Sequence, residues 1–368
     1  MLRIGFNARA LCGPYPRGFS RYTAGLVRAL ARIAGVEPVL FCDAPIHPVH
    51  DVGHLECVIH VRRPTYVWQH VWLPAELRRR SIDLFHAPAH WGFPALATVP
   101  CVCTIHDLAD RELPREAPVR RDLRHVAEEW LAVRRAARIL TVSAWSAESI
   151  RRHLHVPPDR IAVTVEGSDL RPATEADLVR FRTAHRIDRP FVVHVGGHEA
   201  RKNVDALLAA AAMLPCEARP LLVFVGSDAV SGGRLHTAAA ARGVGADVRM
   251  LGPLSDTELA AAYTGAVATV IPSWVEGFGL PIVEAMHCGT PSIVAHAAAL
   301  PEVAGDAGLT FPPDRPEVLA AHLRVLAARP ELASELREKA SARATLFTWE
   351  RAAAQVVDVY ESVLARSR

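Results

Sequence analysis

Residues 267–289 read VATVIPSWVEGFGLPIVEAMHCG: five small or β-branched residues, a loop with glycines at 277 and 279, and Pro281 opening an apolar-faced run. A short apolar strand passing through a glycine turn into a Pro-initiated helix is half of a βα unit. Pro suits the first helical turn, where its missing N–H costs nothing. The glycines let the backbone turn sharply and approach a ligand closely. In open parallel sheets, ligands gather beyond the carboxyl ends of the strands, and this loop sits at such an end.

The same alternation extends outward in both directions. In the first half, apolar runs predict strands at 2–7, 37–42, 56–61, 83–87, 100–105, 138–143 and 160–165. A helix over 20–33 places Leu26, Leu30 and Ile33 on one face, and Ser143 or Ser146 can cap a helix through SAESIRRHL. In the second half, strands are expected at 191–195, 221–225, 247–251, 267–271 and 291–295, and helices at 203–213, 234–242, 256–263 and 281–288. Helical patterns at 315–328, 331–345 and 349–365 close the chain. Strands alternating with longer amphipathic stretches define an α/β class with two doubly wound, Rossmann-like sheets. A length of 368 residues also favours two domains. The text turns polar between Gly167 and Pro190, so the expected division is 1–175, 176–348 and a C-terminal helix over 349–368 that can pack back on the first domain.

Composition narrows the function. Half the residues are hydrophobic and 22% are charged, and no run approaches the ~18 apolar residues of a membrane helix. The N-terminal MLRIGFNARALCG enters a strand directly, without the pattern of a signal peptide, which predicts a cytoplasmic protein. Seven scattered cysteines suggest neither a disulfide framework nor a metal site. A net charge of +3 does not predict a nucleic-acid partner. Residues 1–170 carry 22 Arg and no Lys against 17 acidic residues. That excess reads as a solvated arginine-rich face, with an anionic acceptor or peripheral membrane contact as the alternative. Lysine is scarce, limited to Lys202 and Lys339, so a Lys inside a motif stands out.

Three segments carry chemistry. In the first, the amides of Phe278, Gly279 and Leu280, with Gly277 before them, lie where a helix N-terminus offers unpaired N–H groups and partial positive charge to a diphosphate. Glu284, one turn into that helix, suits the two hydroxyls of a ribose, and Glu276 precedes the turn. Carboxylates facing a phosphate would repel it, so both are expected to bind hydroxyls beside it. In the second segment, Arg201 and Lys202 follow the strand FVVHVGG, at a carboxyl edge again. There, two cations neutralise a departing diphosphate; cations at a helix start otherwise oppose the helix dipole. In the third, His106 and Asp107 end the strand PCVCTI. His106 is either a structural hydrogen bonder or a sugar contact, and Asp107 either orients it or caps the next turn. The loop ARALCGPYPRGFSRYTAGL lets the amides at Gly13 and Gly18 meet a phosphate, although its spacing is not G-x-G-x-x-G.

Glu276 and Glu284 form a Glu-x7-Glu pair that resembles the motif of the retaining glycosyltransferases of family 4, the glycosyl transferases group 1. VGGHEARKNVDALLAA resembles the family's strand–loop–helix with Arg-Lys-Asn. TIHDL, RILTVSAWSAESI, SIVAHAAALPEVAGDAGLTFPPDRPEVL and TWERAA also match family segments, so the resemblance spans almost the whole chain. Departures are Gly18-Phe19-Ser20-Arg21-Tyr22 where Gly-Ile-Gly-Arg-Tyr is usual, VEGSD at 165–169 for Pro-Asn-Gly-Val-Asp, and Gly197 and Ala200 for Thr and Pro. No site role is assigned to VEGSD.

The resemblance implies the GT-B arrangement, two Rossmann-like domains with a cleft between them. It also implies that Glu276 lies near the donor sugar, Glu284 binds the nucleotide ribose and His106 contacts the donor sugar. The implied reaction is metal-independent hexosyl transfer from a nucleoside-diphosphate sugar, GDP-mannose first and a UDP-hexose next. The acceptor is a carbohydrate, a lipid-linked glycan or a small metabolite. Arg201, Lys202, Glu276 and His106 form the expected catalytic set, and Gly18, Gly277, Phe278, Gly279, Leu280 and Glu284 the donor-binding set. A nucleotide-sugar epimerase and a non-catalytic nucleotide-sugar binder are the alternatives. A phosphorylase needs a pyridoxal-phosphate lysine, for which only two candidates exist.

Overall fold

The computed structural model describes residues 1–16, 18–61, 64–113, 123–226 and 232–367. They divide into two compact units. The first runs from Met1 to Gly167, apart from a short stretch after Arg111, and takes in the C-terminal segment from Thr348 onward; the second spans Ser168–Phe347.

The first unit holds seven parallel strands: β1 (Leu2–Asn7), β2 (Val36–Cys42), β3 (Glu56–Ile59), β4 (Leu84–Ala87), β5 (Cys101–Thr104), β6 (Arg138–Thr141) and β7 (Ile161–Val163). Their order is β3-β2-β1-β4-β5-β6-β7. Each lies within or beside a run predicted from apolar patterning. Every residue of β4 and β5 is buried, as expected where helices cover both faces of a parallel sheet. Ser143, with extended backbone, accepts the Ser146 N–H at 3.0 Å and starts the helix Ala144–Leu154, which settles the choice of cap. The helical stretch Thr65–Arg79, with a π segment at Trp68–Trp72, was not expected from the sequence.

The C-terminal helix Trp349–Ser367 packs against the helix Gly18–Leu30 in this unit. Trp349, Ala353, Val356 and Tyr360 join Leu26 and Leu30 in one buried cluster. Glycine at 25 makes the approach possible, since a Cβ there would lie 2.1 Å from the Trp349 indole. Gln355 Oε1 accepts the Val165 N–H at 2.9 Å, tying the helix to the segment after β7.

The second unit holds six parallel strands: β8 (Phe191–Val195), β9 (Leu221–Val225), β10 (Val248–Leu251), β11 (Thr269–Ile271), β12 (Ser292–Ala295) and β13 (Gly308–Phe311), ordered β10-β9-β8-β11-β12-β13. The sequence reading lacked β13, which pairs with β12 at the sheet edge and is only partly buried over its first three residues. It also passed over the helix Glu175–Ala184 inside the polar stretch. That helix begins at a Thr174–Asp177 capping box and buries Phe181.

In each sheet the strand order reverses beside the first strand, between β1 and β4 and between β8 and β11. Such a switch point is where open α/β sheets bind ligands, outside the carboxyl ends of the strands.

Candidate active site

In the second unit, the loops leaving β8 and β11 meet at the switch point. The Trp274 N–H donates to the Arg201 carbonyl at 2.9 Å, and Asn203 Nδ2 donates to the carbonyls of Pro272 at 3.1 Å and Pro313 at 2.8 Å. Asn203 adopts a left-handed backbone (φ 50°), which Asn tolerates better than most residues. It thereby ends the short 3-10 turn Ala200–Lys202 and fixes where the two cations stand.

Those cations converge on one carboxylate. Lys202 Nζ donates to Glu276 Oε1 at 2.7 Å, Ser273 Oγ donates to the same oxygen at 2.7 Å, and Arg201 Nη1 donates to Oε2 at 3.1 Å. Glu276 is buried, and burial by itself pushes its carboxyl up. The Lys202 and Arg201 charges, with the hydrogen bonds from Lys202 and Ser273, outweigh that and hold it at about 2. Glu276 is therefore ionised throughout the working pH range. It also neutralises the cations that a diphosphate would use.

The Glu276 loop leads into the helix Leu280–His287 through Gly279, whose φ of 96° favours glycine and whose added Cβ would press on Ile282 and Leu300 at 3.0 Å. Pro281 lies in the first turn, and no side chain caps this helix. Phe278 and Leu280 are buried, and the Phe278 ring stands edge-on to Phe347 at 5.6 Å between centroids. Glu284 points into the fold, where Tyr263 OH donates to its Oε2 at 2.8 Å. The structure thus gathers Arg201, Lys202 and Glu276 into one cluster and sets residues 277–284 on the same loop and helix.

Beside the cluster lies His194 on β8, buried, with Nδ1 2.9 Å from the Val270 carbonyl and no hydrogen-bond partner for Nε2 among the described residues. Burial holds it down to about 4, so it is neutral. Nε2 and Lys202 Nζ both lie 3.6 Å from where a Gly196 Cβ would stand. Ser273, Tyr263 and His194 were absent from the sequence reading. Ser273 alone had a local signal, lying three residues ahead of Glu276.

His106 and Gly18 belong to the first unit. His106 follows β5, its Nδ1 3.0 Å from Glu166 Oε1 and its Nε2 3.0 Å from the Pro88 carbonyl. Phe19 and Tyr22, from the helix that Gly18 opens, stand edge-on to its ring at 5.0 and 4.7 Å. Phe19 also meets Trp91 in a small hollow with Asn7 and Pro88. Asp107 Oδ1 accepts the Ala109 N–H at 3.1 Å, so the contact present is the capping one. Behind this site runs a buried polar chain. Tyr22 OH lies 3.1 Å from Thr104 Oγ1, which lies 2.8 Å from His86 Nε2, and His86 Nδ1 lies 2.7 Å from Tyr360 OH on the terminal helix.

The structure thus offers two parallel sheets with a cation–carboxylate cluster at one switch point, and comparison with known proteins gives the class. Residues 176–343 match the family model described as glycosyl transferases group 1, and residues 16–171 match Glycosyltransferase Family 4. The O-antigen chain mannosyltransferase B of Escherichia coli is 32% identical over 270 residues, covering 71% of this chain and 70% of that protein. A D-inositol 3-phosphate glycosyltransferase of Streptomyces bingchenggensis is 31% identical over 319 residues, covering 82% and 68%. Among solved structures, Anabaena HepE in complex with UDP-glucose superposes with a TM-score of 0.78 at 20% identity, over 98% of this chain and 100% of that one. The chain belongs to the glycosyl transferases group 1 family and is a glycosyltransferase of the GT-B fold class. Among the described residues, no helix is long and apolar enough to cross a membrane.

Proposed function

We propose that the protein moves a hexosyl group, with retention, from a nucleoside-diphosphate sugar to a hydroxyl acceptor, and that the second unit binds the donor. The observation carrying this reading is the Lys202–Glu276–Arg201 cluster at the β8/β11 switch point, beside an uncapped helix N-terminus. The diphosphate takes Lys202 and Arg201 from Glu276, and the amides at 278–280 complete its cradle. Glu276, released from one or both cations, turns its oxygens to hydroxyls of the donor sugar. Glu284, steadied by Tyr263, takes the ribose.

As the anomeric bond loosens, charge grows on the leaving diphosphate, and the two cations stabilise it more in the transition state than in the ground state. Positive charge from side chains and amides serves in place of a metal. The leaving phosphate oxygen accepts the acceptor's proton on the face it departs from, which gives retention. GDP-mannose is the first donor to test, in keeping with the mannosyltransferase relative; a UDP-hexose is next, in keeping with the UDP-glucose complex of the structural neighbour. The acceptor is a glycan, a lipid-linked glycan or a small metabolite, and the setting is the cytoplasm.

The test is a donor panel followed by thermal stabilisation and by nucleoside-diphosphate release, with the product anomer assigned by NMR in chelator-treated buffer. Stabilisation by one donor, release of its nucleotide and a retained anomer are expected. Stabilisation without release marks a binder, altered free sugar without acceptor marks an epimerase, and dependence on added metal removes the metal-free mechanism.

A further inference from the structure

Glu166 stands in the VEGSD segment, to which the family pattern assigned nothing here, yet its carboxylate is buried against His106. Both neighbours of the His106 ring nitrogens are oxygens: a carboxylate oxygen at 3.0 Å from Nδ1 and a peptide carbonyl at 3.0 Å from Nε2. A carbonyl only accepts, so Nε2 carries a proton; the Nδ1–Oε1 contact needs one more, carried either by the imidazole or by the carboxyl. With no proton on either Nδ1 or the Glu166 carboxyl, a nitrogen lone pair would face an oxygen lone pair at hydrogen-bond distance in a largely buried setting, where unmade hydrogen bonds are costly.

We infer that Glu166 is a positioning residue that holds His106 with both ring nitrogens protonated, its two N–H groups donating to Glu166 and to the Pro88 carbonyl, so that the ring stands at the site as a fixed cation and not as a base. The surroundings suit a cation. Of the other titratable groups facing it, His86 and His90 are held down to about 3 and about 4, chiefly by burial, and Tyr22 is held neutral by burial. Glu166 supplies the balancing charge. The consequence for transfer rests on the reading proposed above: His106 has no lone pair with which to take the acceptor's proton, which agrees with that proton leaving by the departing phosphate.

The test is the ring protonation state in the full-length protein labelled with 15N-histidine, at about pH 8, above the ordinary histidine range. His106→Gln identifies the signal. Two protonated ring nitrogens are expected in the wild type, and one in Glu166→Gln, which keeps the shape and removes the charge. A ring with a lone-pair nitrogen in the wild type overturns the inference, as does a doubly protonated ring in Glu166→Gln. The wild-type spectrum decides alone if that variant fails to fold. This readout needs no substrate, so it stands or falls separately from glycosyl transfer. In the transfer assay, Glu166→Gln should lose activity roughly tenfold as pH rises through the histidine range while the wild type does not, and superimposable profiles also overturn it.

Discussion

The two units reverse their strand order in the same way, yet they put different chemistry at the reversal. Past β8 and β11 stand full charges, two cations on one carboxylate, held by side chains from two loops. Past β1, β4 and β5 stand aromatic rings, one His–Glu pair and a chain of neutral hydroxyls and imidazole that ends on the terminal helix. The fold thus supplies only a place; side chains decide what chemistry that place offers.

Removing a charge from the second unit gives the largest expected effect. Lys202→Ala should lower transfer by about 10²-fold or more and cost about 3 kcal/mol in a urea melt, because Glu276 stays buried with a partner missing. Adding Glu276→Gln should recover most of the stability and none of the transfer; recovered transfer would break the comparison.

Acid should act on the same cluster. The Glu276 pKa is depressed on folding, from an ordinary 4.5 to about 2, so its contribution, on the order of 3 kcal/mol, is fully present above 4.5 and lost as pH falls through about 2. Glu276→Gln should remove that part of the slope in melts followed across this window, and an unchanged slope would place the acid sensitivity elsewhere.

At the Gly25–Trp349 contact of the first unit, packing and not charge is at stake. Gly25→Ala drives a methyl into the Trp349 indole and should cost about 1–3 kcal/mol, with donor KM unchanged once folded. Tyr263→Phe should cost about 1 kcal/mol and raise donor KM severalfold with kcat nearly kept, which sharpens the assignment of Glu284 to binding. The exposed Arg32–Glu350 pair marks the lower end: Arg32→Ala should change stability by less than about 0.5 kcal/mol.

How much of this was legible in the sequence follows from the range of each interaction. Twelve strands announced themselves as apolar runs, most clearly the central ones such as β4, β5 and β9, whose burial on both faces leaves a local signature. β13 did not: GLTF is short, half-buried and preceded by small residues. The helix Glu175–Ala184 hid in polar text because it buries so little, although its capping box was readable at Thr174 and Asp177. At the site, loop composition exposed Arg201, Lys202 and residues 276–284. Their companions Tyr263 and His194 were invisible, since no local pattern links a tyrosine to a carboxylate 21 positions on. Glu166 was read as a departure from a motif, and its meaning lay 60 residues away at His106.

The placement of Trp349 and Tyr360 sets an order of events at the ribosome. The unit that emerges first lacks the indole that fills the Gly25 groove and the hydroxyl that satisfies His86 until the last helix is made. The main segment of the second unit, Ser168–Phe347, is already made by then. Chains that stop before Thr348 therefore leave the Gly25 groove and the buried His86 without the indole and hydroxyl that complete the first unit.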